Sequence, residues 1–157
     1  KRKQTASAAD LIAAETTAQA LKINVRTVGA SDGKQLDAAL EEIGRARTAG
    51  LIVLEDAILI AYRKRIIDFM AQHRVPTMYT SFGWAEQGGL MEYAPDLREL
   101  YSRAATYVDR ILRGAKPGEL PVEQPTKLEL VINLKTAKAL GITVPQSVLL
   151  RADRIIE

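Results

Sequence analysis

No cysteine occurs among the 157 residues, which excludes disulfide frameworks, thiolate metal sites and a lipid-anchored cysteine within this chain, while saying little about compartment. The single histidine, His73, has no second histidine or cysteine with which to hold a metal. Its place late in a polar helix end marks a surface residue rather than a catalyst. No apolar run approaches the roughly 18 residues that a membrane span needs. The start, Lys1-Arg2-Lys3-Gln4-Thr5-Ala6-Ser7, leads into an acid-containing amphipathic segment and not into a signal-peptide core. Neither a P-loop nor G-x-G-x-x-G is present, so nucleotide enzymes built on those loops lack their local signature. Aromatic residues are only 5% of the chain, and none is interleaved with the basic clusters at residues 1–3 and 63–65. The net charge of +3 therefore reads as solvated helix faces rather than a nucleic-acid surface.

What is present is an ordinary globular balance, 47% hydrophobic and 26% charged, in a length that suits one domain with a real core. Leu11, Ala14, Ala18 and Leu21 recur at helical spacing and predict a helix over 8–22. Ile23 to Val28 alternates and is closed by Gly29 and Ser31-Asp32-Gly33, which predicts a strand and turn. Leu36, Ala39, Leu40 and Ile43 predict a second helix reaching about Thr48. Leu51-Ile52-Val53-Leu54 is a continuous apolar run, the mark of a parallel-sheet strand covered on both faces. Leu59, Tyr62, Ile66 and Met70 predict a third helix, and Val75 to Tyr79 a third strand. This β-α-β-α-β alternation argues for an α/β fold, a parallel sheet flanked by helices with right-handed crossovers.

Leu90 to Tyr93 then reads as a strand. Leu97 to Leu112 reads as a helix with a wide apolar stripe, capped by Asp96 or Pro95 and ended at Gly114. Residues 114–125 read as an extended connection, Leu128 to Ile132 as a strand, Lys135 to Leu140 as a short helix stopped by Gly141, and Gln146 to Ile156 as a terminal helix. Internal repeats and low-complexity segments are absent.

Four phrases in this last stretch carry a resemblance. They are Ile111-Leu112-Arg113-Gly114-Ala115-Lys116-Pro117, Leu120-Pro121-Val122-Glu123-Gln124-Pro125, Ile132-Asn133-Leu134-Lys135-Thr136-Ala137-Lys138-Ala139-Leu140-Gly141 and Val144-Pro145. In this order, after Gly88-Gly89, the sequence resembles the C-terminal portion of the solute-binding proteins of bacterial ABC importers, in the family that takes up aromatic amino acids and related small molecules. The resemblance implies one lobe of a type I periplasmic-binding-protein-like, flavodoxin-like bilobal fold plus crossover segments. Residues 1–87 correspond to the core of the second lobe, 88–126 to a crossover and a helix that packs on the first lobe, and 127–157 to a closing strand and terminal helices. The first lobe and an opening strand have no counterpart here. The chain therefore reads as a fragment of a longer protein or as a truncated form that covers its exposed faces by pairing as a homodimer.

The resemblance also implies a small amino-acid-like ligand, aromatic or branched apolar, bound between the lobes without chemistry or cofactor. It implies a permease and an ATPase as partners, no nucleic acid, no membrane insertion, and a periplasmic location reached by a targeting segment not present in this chain. Ligands of open α/β sheets bind outside the carboxyl ends of strands. That rule selects Asp56 of the Glu55-Asp56 pair, as partner of a ligand ammonium or as a helix cap. It also selects Ser81 and Phe82, with Tyr79 and Tyr93 as stacking groups or as ordinary half-buried strand residues. Ser7 lies at the start of the first helix, where free N–H groups can hold a carboxylate. Trp84 suits hinge packing and ligand contact equally, whereas Tyr62, Tyr101 and Tyr107 read as packing residues within helices. A sensor domain of an intracellular regulator, with the same fold, is the alternative reading. A small flavodoxin-like enzyme is a third.

Overall fold

The computed structural model describes residues 8–157, and the chain divides into two compact units, residues 1–78 and 79–157. In the first, α1 (Ala8–Ala20) is followed by α2 (Gly33–Arg45), β1 (Leu51–Val53), α3 (Ala57–Ala61) and α4 (Arg63–His73), and the division falls within β2 (Thr77–Tyr79). Helix α2 starts where Asp32 accepts the Gln35 N–H at 2.8 Å, while Gln35 takes the Ser31 N–H in return, so two free helix-end groups are satisfied together. Its Leu36, Ala39, Leu40 and Ile43 are buried, as the spacing predicts, and with Ile66, Ile67 and Met70 of α4 they form the core. Burying each of the leucine, isoleucine and methionine side chains contributes about 1.5–3 kcal/mol. The Leu51 N–H donates to the Pro76 carbonyl at 2.8 Å, a bond between the starts of the neighbouring strands β1 and β2.

Three expectations for this unit are corrected. Residues 23–28 are not a strand: they join no ladder among the described residues, Arg26 reaching Glu42 only through its side chain, and Ile23 and Val25 are exposed. Alternation selects a face, but a strand also needs a bonded neighbour. The Leu51–Leu54 run is not covered on both faces, since Val53 is buried while Ile52 is exposed. The third helix is two helices, broken at Tyr62, whose φ of −101° and ψ of 18° leave the helical region. Tyr62 sits against Gly33, where an added Cβ would come within 2.6 Å of its hydroxyl. Helix α1 ends at Ala20; within it Ala18 is buried but Ala14 is exposed, as is Leu21 just beyond its end.

The second unit holds β3 (Met91–Pro95), α5 (Leu97–Leu112), a 3-10 turn at Pro117–Glu119, β4 (Leu128–Asn133), α6 (Leu134–Leu140), α7 (Gln146–Leu149) and β5 (Arg154–Ile156). Strands β3 and β4 run antiparallel with Met91 opposite Ile132 and Pro95 opposite Leu128, whereas β4 and β5 run parallel with Val131 opposite Arg154. The terminal helix expected over 146–156 is one short turn followed by a strand. Leu130 offers its carbonyl to the Asp153 N–H at 2.9 Å, and the Asp153 carboxylate accepts the Leu130 N–H at 2.8 Å. These bonds draw the last residues onto the sheet instead.

Asp96, not Pro95, caps α5, accepting the N–H groups of Arg98 and Glu99. None of the helix's residues is buried, and Tyr101, Val108 and Leu112 stand exposed. Tyr101 thus departs from the packing role expected of it. Tyr107 is half-buried and donates its hydroxyl to the Pro121 carbonyl at 2.6 Å, fastening the 114–126 connection along the helix.

Lys127 donates to Asp96 at 2.7 Å. That hydrogen bond holds the Asp96 carboxyl below the usual carboxylate range and raises the Lys127 ammonium. A carboxyl with a depressed folded pKa contributes stability above its unfolded value of about 3.9, and loses it as pH falls through the folded value. The raised ammonium contributes below about 10.4 and is lost as pH rises through its own folded value. Protection of the amides at the start of α5, each rate taken relative to that of a free peptide at the same pH, is therefore expected to fall below about pH 4 in the native chain. The dependence should flatten in Lys127→Ala; an unchanged pH profile would remove the pair from the capping of α5.

Candidate functional site

The segment 80–90 leaves the carboxyl end of β2 and returns to β3. It is built on stacking and on main-chain bonds to buried side chains. Tyr79 and Trp84 stack with centroids 4.3 Å apart at 14°, and the indole Nε1 donates to Ser81 Oγ at 2.8 Å. Trp84 is 1% exposed. Its carbonyl accepts the N–H groups of Gln87 and Gly89, which curls the segment into successive turns. Gly89 is required by close approach: an added Cβ would lie 2.7 Å from Tyr79 Cε2 and 2.8 Å from the Trp84 carbonyl oxygen.

Beneath these turns Glu92 of β3 is buried, its Oε2 accepting the N–H of Trp84 at 2.7 Å and of Ala85 at 2.9 Å. Asn133, at the end of β4, donates Nδ2 to the Ala85 carbonyl at 2.8 Å while its Oδ1 caps α6 through the Thr136 N–H. Thr136 Oγ1 donates to the Gly88 carbonyl at 2.9 Å. Arg154 of β5 pairs with Glu86, which raises the guanidinium further. What this scaffold leaves facing outward is Phe82, 42% exposed, next to Gly83 at a φ of 83° that favours glycine. Tyr93 of β3 is 43% exposed, alternating with buried Glu92 and Ala94.

The sequence-selected residues are thus distributed unevenly. Ser81, Phe82 and Tyr79 come together in one segment, with Tyr79 covered by Trp84 and Ser81 engaged by its indole, and Tyr93 lies on the following strand. Asp56 lies in the other unit, after β1, where Oδ1 accepts the Ile58 N–H at 2.7 Å and starts α3. Ser7 lies outside the described residues. Glu92, Asn133 and Thr136 carry the architecture and were not singled out from the sequence. The signal available for Glu92 was its parity with Leu90 and Ala94, the inward positions of the strand.

One string, Gly29-Ala30-Ser31-Asp32-Gly33, has the G-x-S-x-G spacing of a nucleophile elbow. No strand leads into it; Ser31 Oγ donates to Gln35 Oε1 and Asp32 caps α2. His73 packs at Gly44, near the opposite end of that helix, and stacks on Phe69 at 4.0 Å. The string is a helix start. Among the described residues no group of three or more acidic, histidine or cysteine side chains is placed to hold a metal, and no helix is long and apolar enough to cross a membrane.

The family model described as ABC transporter substrate binding protein matches residues 2–156. Among solved structures, a conserved domain protein from Vibrio cholerae O1 biovar El Tor is 26% identical with a TM-score of 0.83, over 94% of this chain and 50% of that one. The ABC domain from Streptococcus pneumonia in complex with L-Trp is 23% identical with a TM-score of 0.85, over 96% of this chain and 52% of that one. A ligand-free, open substrate-binding protein with adhesive properties from Clostridium difficile is 15% identical with a TM-score of 0.64, over 98% and 52%. No curated protein is matched. The chain spans about half the length of the solved structures it resembles.

Proposed function

The chain belongs to the ABC transporter substrate binding protein family, and on that premise we propose that it binds a small amino-acid-like solute, aromatic or branched apolar, and passes it unchanged to an importer's permease and ATPase. The observation that carries this reading is the family match along residues 2–156. The L-Trp held by the pneumococcal structure supports an aromatic ligand, as do Phe82 and Tyr93 standing outward beside a braced turn, since aromatic faces bordering a cleft stack on apolar ligands. In this reading residues 1–87 are the second-lobe core, 88–126 the crossover with α5 turned toward another lobe, and 127–157 the closing strand and terminal elements. The exposed apolar stripe of α5 is consistent with that division. The protein works in the periplasm, and a chain lacking the other lobe covers α5 by pairing with a second copy.

A thermal-shift screen of the intact protein against amino acids and aromatic acids tests the reading. A ligand that binds only the native state stabilises it by RT ln(1 + [L]/Kd), so a saturable rise in midpoint is expected. Conversion of any ligand during the screen would overturn it.

Asp56 is the group that pairs with the ligand ammonium. Its Oδ1 is occupied by the Ile58 N–H, and no described residue donates to Oδ2. Asp56→Asn keeps a good helix cap and is expected to weaken binding by about 1–3 kcal/mol with little change in unfolding. Calorimetry showing unchanged affinity would return Asp56 to capping alone.

A further inference from the structure

We infer that Glu92 is a positioning residue of the binding site, clasping the 84–85 backbone from below so that Phe82 is presented in one fixed attitude. The inference rests on the ligand-binding reading above. Its first support is chemical. A carboxyl side chain within a buried strand position costs desolvation that a valine there would avoid, and Glu92 is 1% exposed. Its second support is geometric: one oxygen, Oε2, receives two consecutive main-chain N–H groups, at 2.7 and 2.9 Å from Trp84 and Ala85. No apolar side chain can take both, and each N–H left buried without an acceptor would cost more than its bond contributes.

The clasp is braced rather than solitary. Asn133 holds the Ala85 carbonyl and Thr136 the Gly88 carbonyl, so the same turn is gripped from β3 and from the β4–α6 junction. On the other side, Trp84 reaches back to Ser81 through its indole N–H. Phe82 and Gly83 are therefore suspended between two fixed points, Ser81 and Trp84. The main chain below Trp84 cannot shift without breaking the Glu92 bonds, and the aromatic face of Phe82 moves with it. A preorganised contact group spares the ordering cost of binding, which is how a side chain with no ligand contact of its own alters affinity.

The test uses the intact protein with L-tryptophan and L-leucine as probes, measured by calorimetry, and amide exchange of Trp84 and Ala85 without ligand. Glu92→Ala removes both acceptors. It is expected to weaken binding of the better probe about tenfold, the size of one lost hydrogen bond, and to speed exchange at both amides. Glu92→Gln retains one oxygen able to accept both N–H groups and is expected to restore affinity to within about threefold and exchange to the native rate. Ile66→Val, a buried substitution in α4, lowers the unfolding midpoint without changing affinity and so separates general destabilisation from the clasp. Native affinity and native exchange in Glu92→Ala overturn the inference, as does a Gln variant no better than Ala. Should Glu92→Ala not fold, Glu92→Asp draws the carboxylate back by one methylene from the Trp84 and Ala85 N–H groups and is read the same way, native binding and exchange again counting against the inference. If the native protein binds neither probe while the exchange rates follow Glu92, the ligand reading fails and the clasp stands.

Discussion

Replacing Trp84 by alanine is expected to lower the unfolding free energy by about 3–5 kcal/mol, the range for deleting a buried large aromatic side chain. The expectation is specific to the surroundings of this indole. It is the chain's single tryptophan, it stacks on Tyr79, and its N–H is satisfied by Ser81. Removing it opens a void against Tyr79 and leaves Ser81 Oγ without its donor. The main-chain bonds from Trp84 to Glu92 and from Gly89 to the Trp84 carbonyl do not involve the lost atoms, so the void has little freedom to collapse. Denaturant unfolding of the intact protein measures the loss. A change under about 1 kcal/mol would mean that the turn relaxes into the space, against the close packing described. Trp84→Phe keeps an aromatic ring against Tyr79 but loses the hydrogen bond and leaves a smaller void, and is expected to cost about 1–3 kcal/mol.

Gly89→Val is expected to cost about 3 kcal/mol or more, at or above the upper end of the usual range for overpacking. The closest atoms to an added Cβ are a ring carbon of Tyr79 at 2.7 Å and the Trp84 carbonyl at 2.8 Å. The carbonyl is main chain and cannot rotate away. It also accepts the Gly89 N–H at 2.8 Å, so relieving the clash breaks the bond that closes the turn. Gly118, where an added Cβ meets nothing within 4 Å, provides the control: Gly118→Ala should be close to neutral. Equal stabilities for the two variants would show that the 80–90 turn yields readily.

These two residues mark where sequence reasoning stops. Helices α2, α5 and α6 were legible because each advertises local chemistry: a buried face at i, i+3, i+4, i+7 in α2, Asp96 before Leu97, and Gly141 after Leu140. Alternation at Ile23–Val28 was misleading because pairing is a property of two segments. The run Gln146–Ile156 was misread for the converse reason, that β5 exists through bonds to Leu130 twenty or so positions away. The rule about strand ends picked out Ser81 and Phe82, which share one segment, and Asp56, which starts α3 in the other unit. The stacking of Tyr79 on Trp84 was beyond it, since that contact depends on the absence of a side chain at Gly89. Glu92 was hidden differently: its parity with Leu90 and Ala94 pointed inward, but a charge at such a position has no reading until the donors above it are known.

The pairing of β3 with β4 also selects against its nearest error. Because side chains alternate along a strand, sliding β3 by one position would turn Tyr93 inward and Glu92 outward, forfeiting the two bonds at Trp84 and Ala85. The native ladder takes its bonds at Leu90 with Asn133 and at Asp96 with Lys127, which leaves Pro95, opposite Leu128, at a position where no donor is required of it toward β4. The same slide would bring Pro95 into a bonded position with no N–H to give. A misaligned ribbon thus incurs three separate losses at neighbouring residues, which sets the native register apart in energy from its nearest alternative.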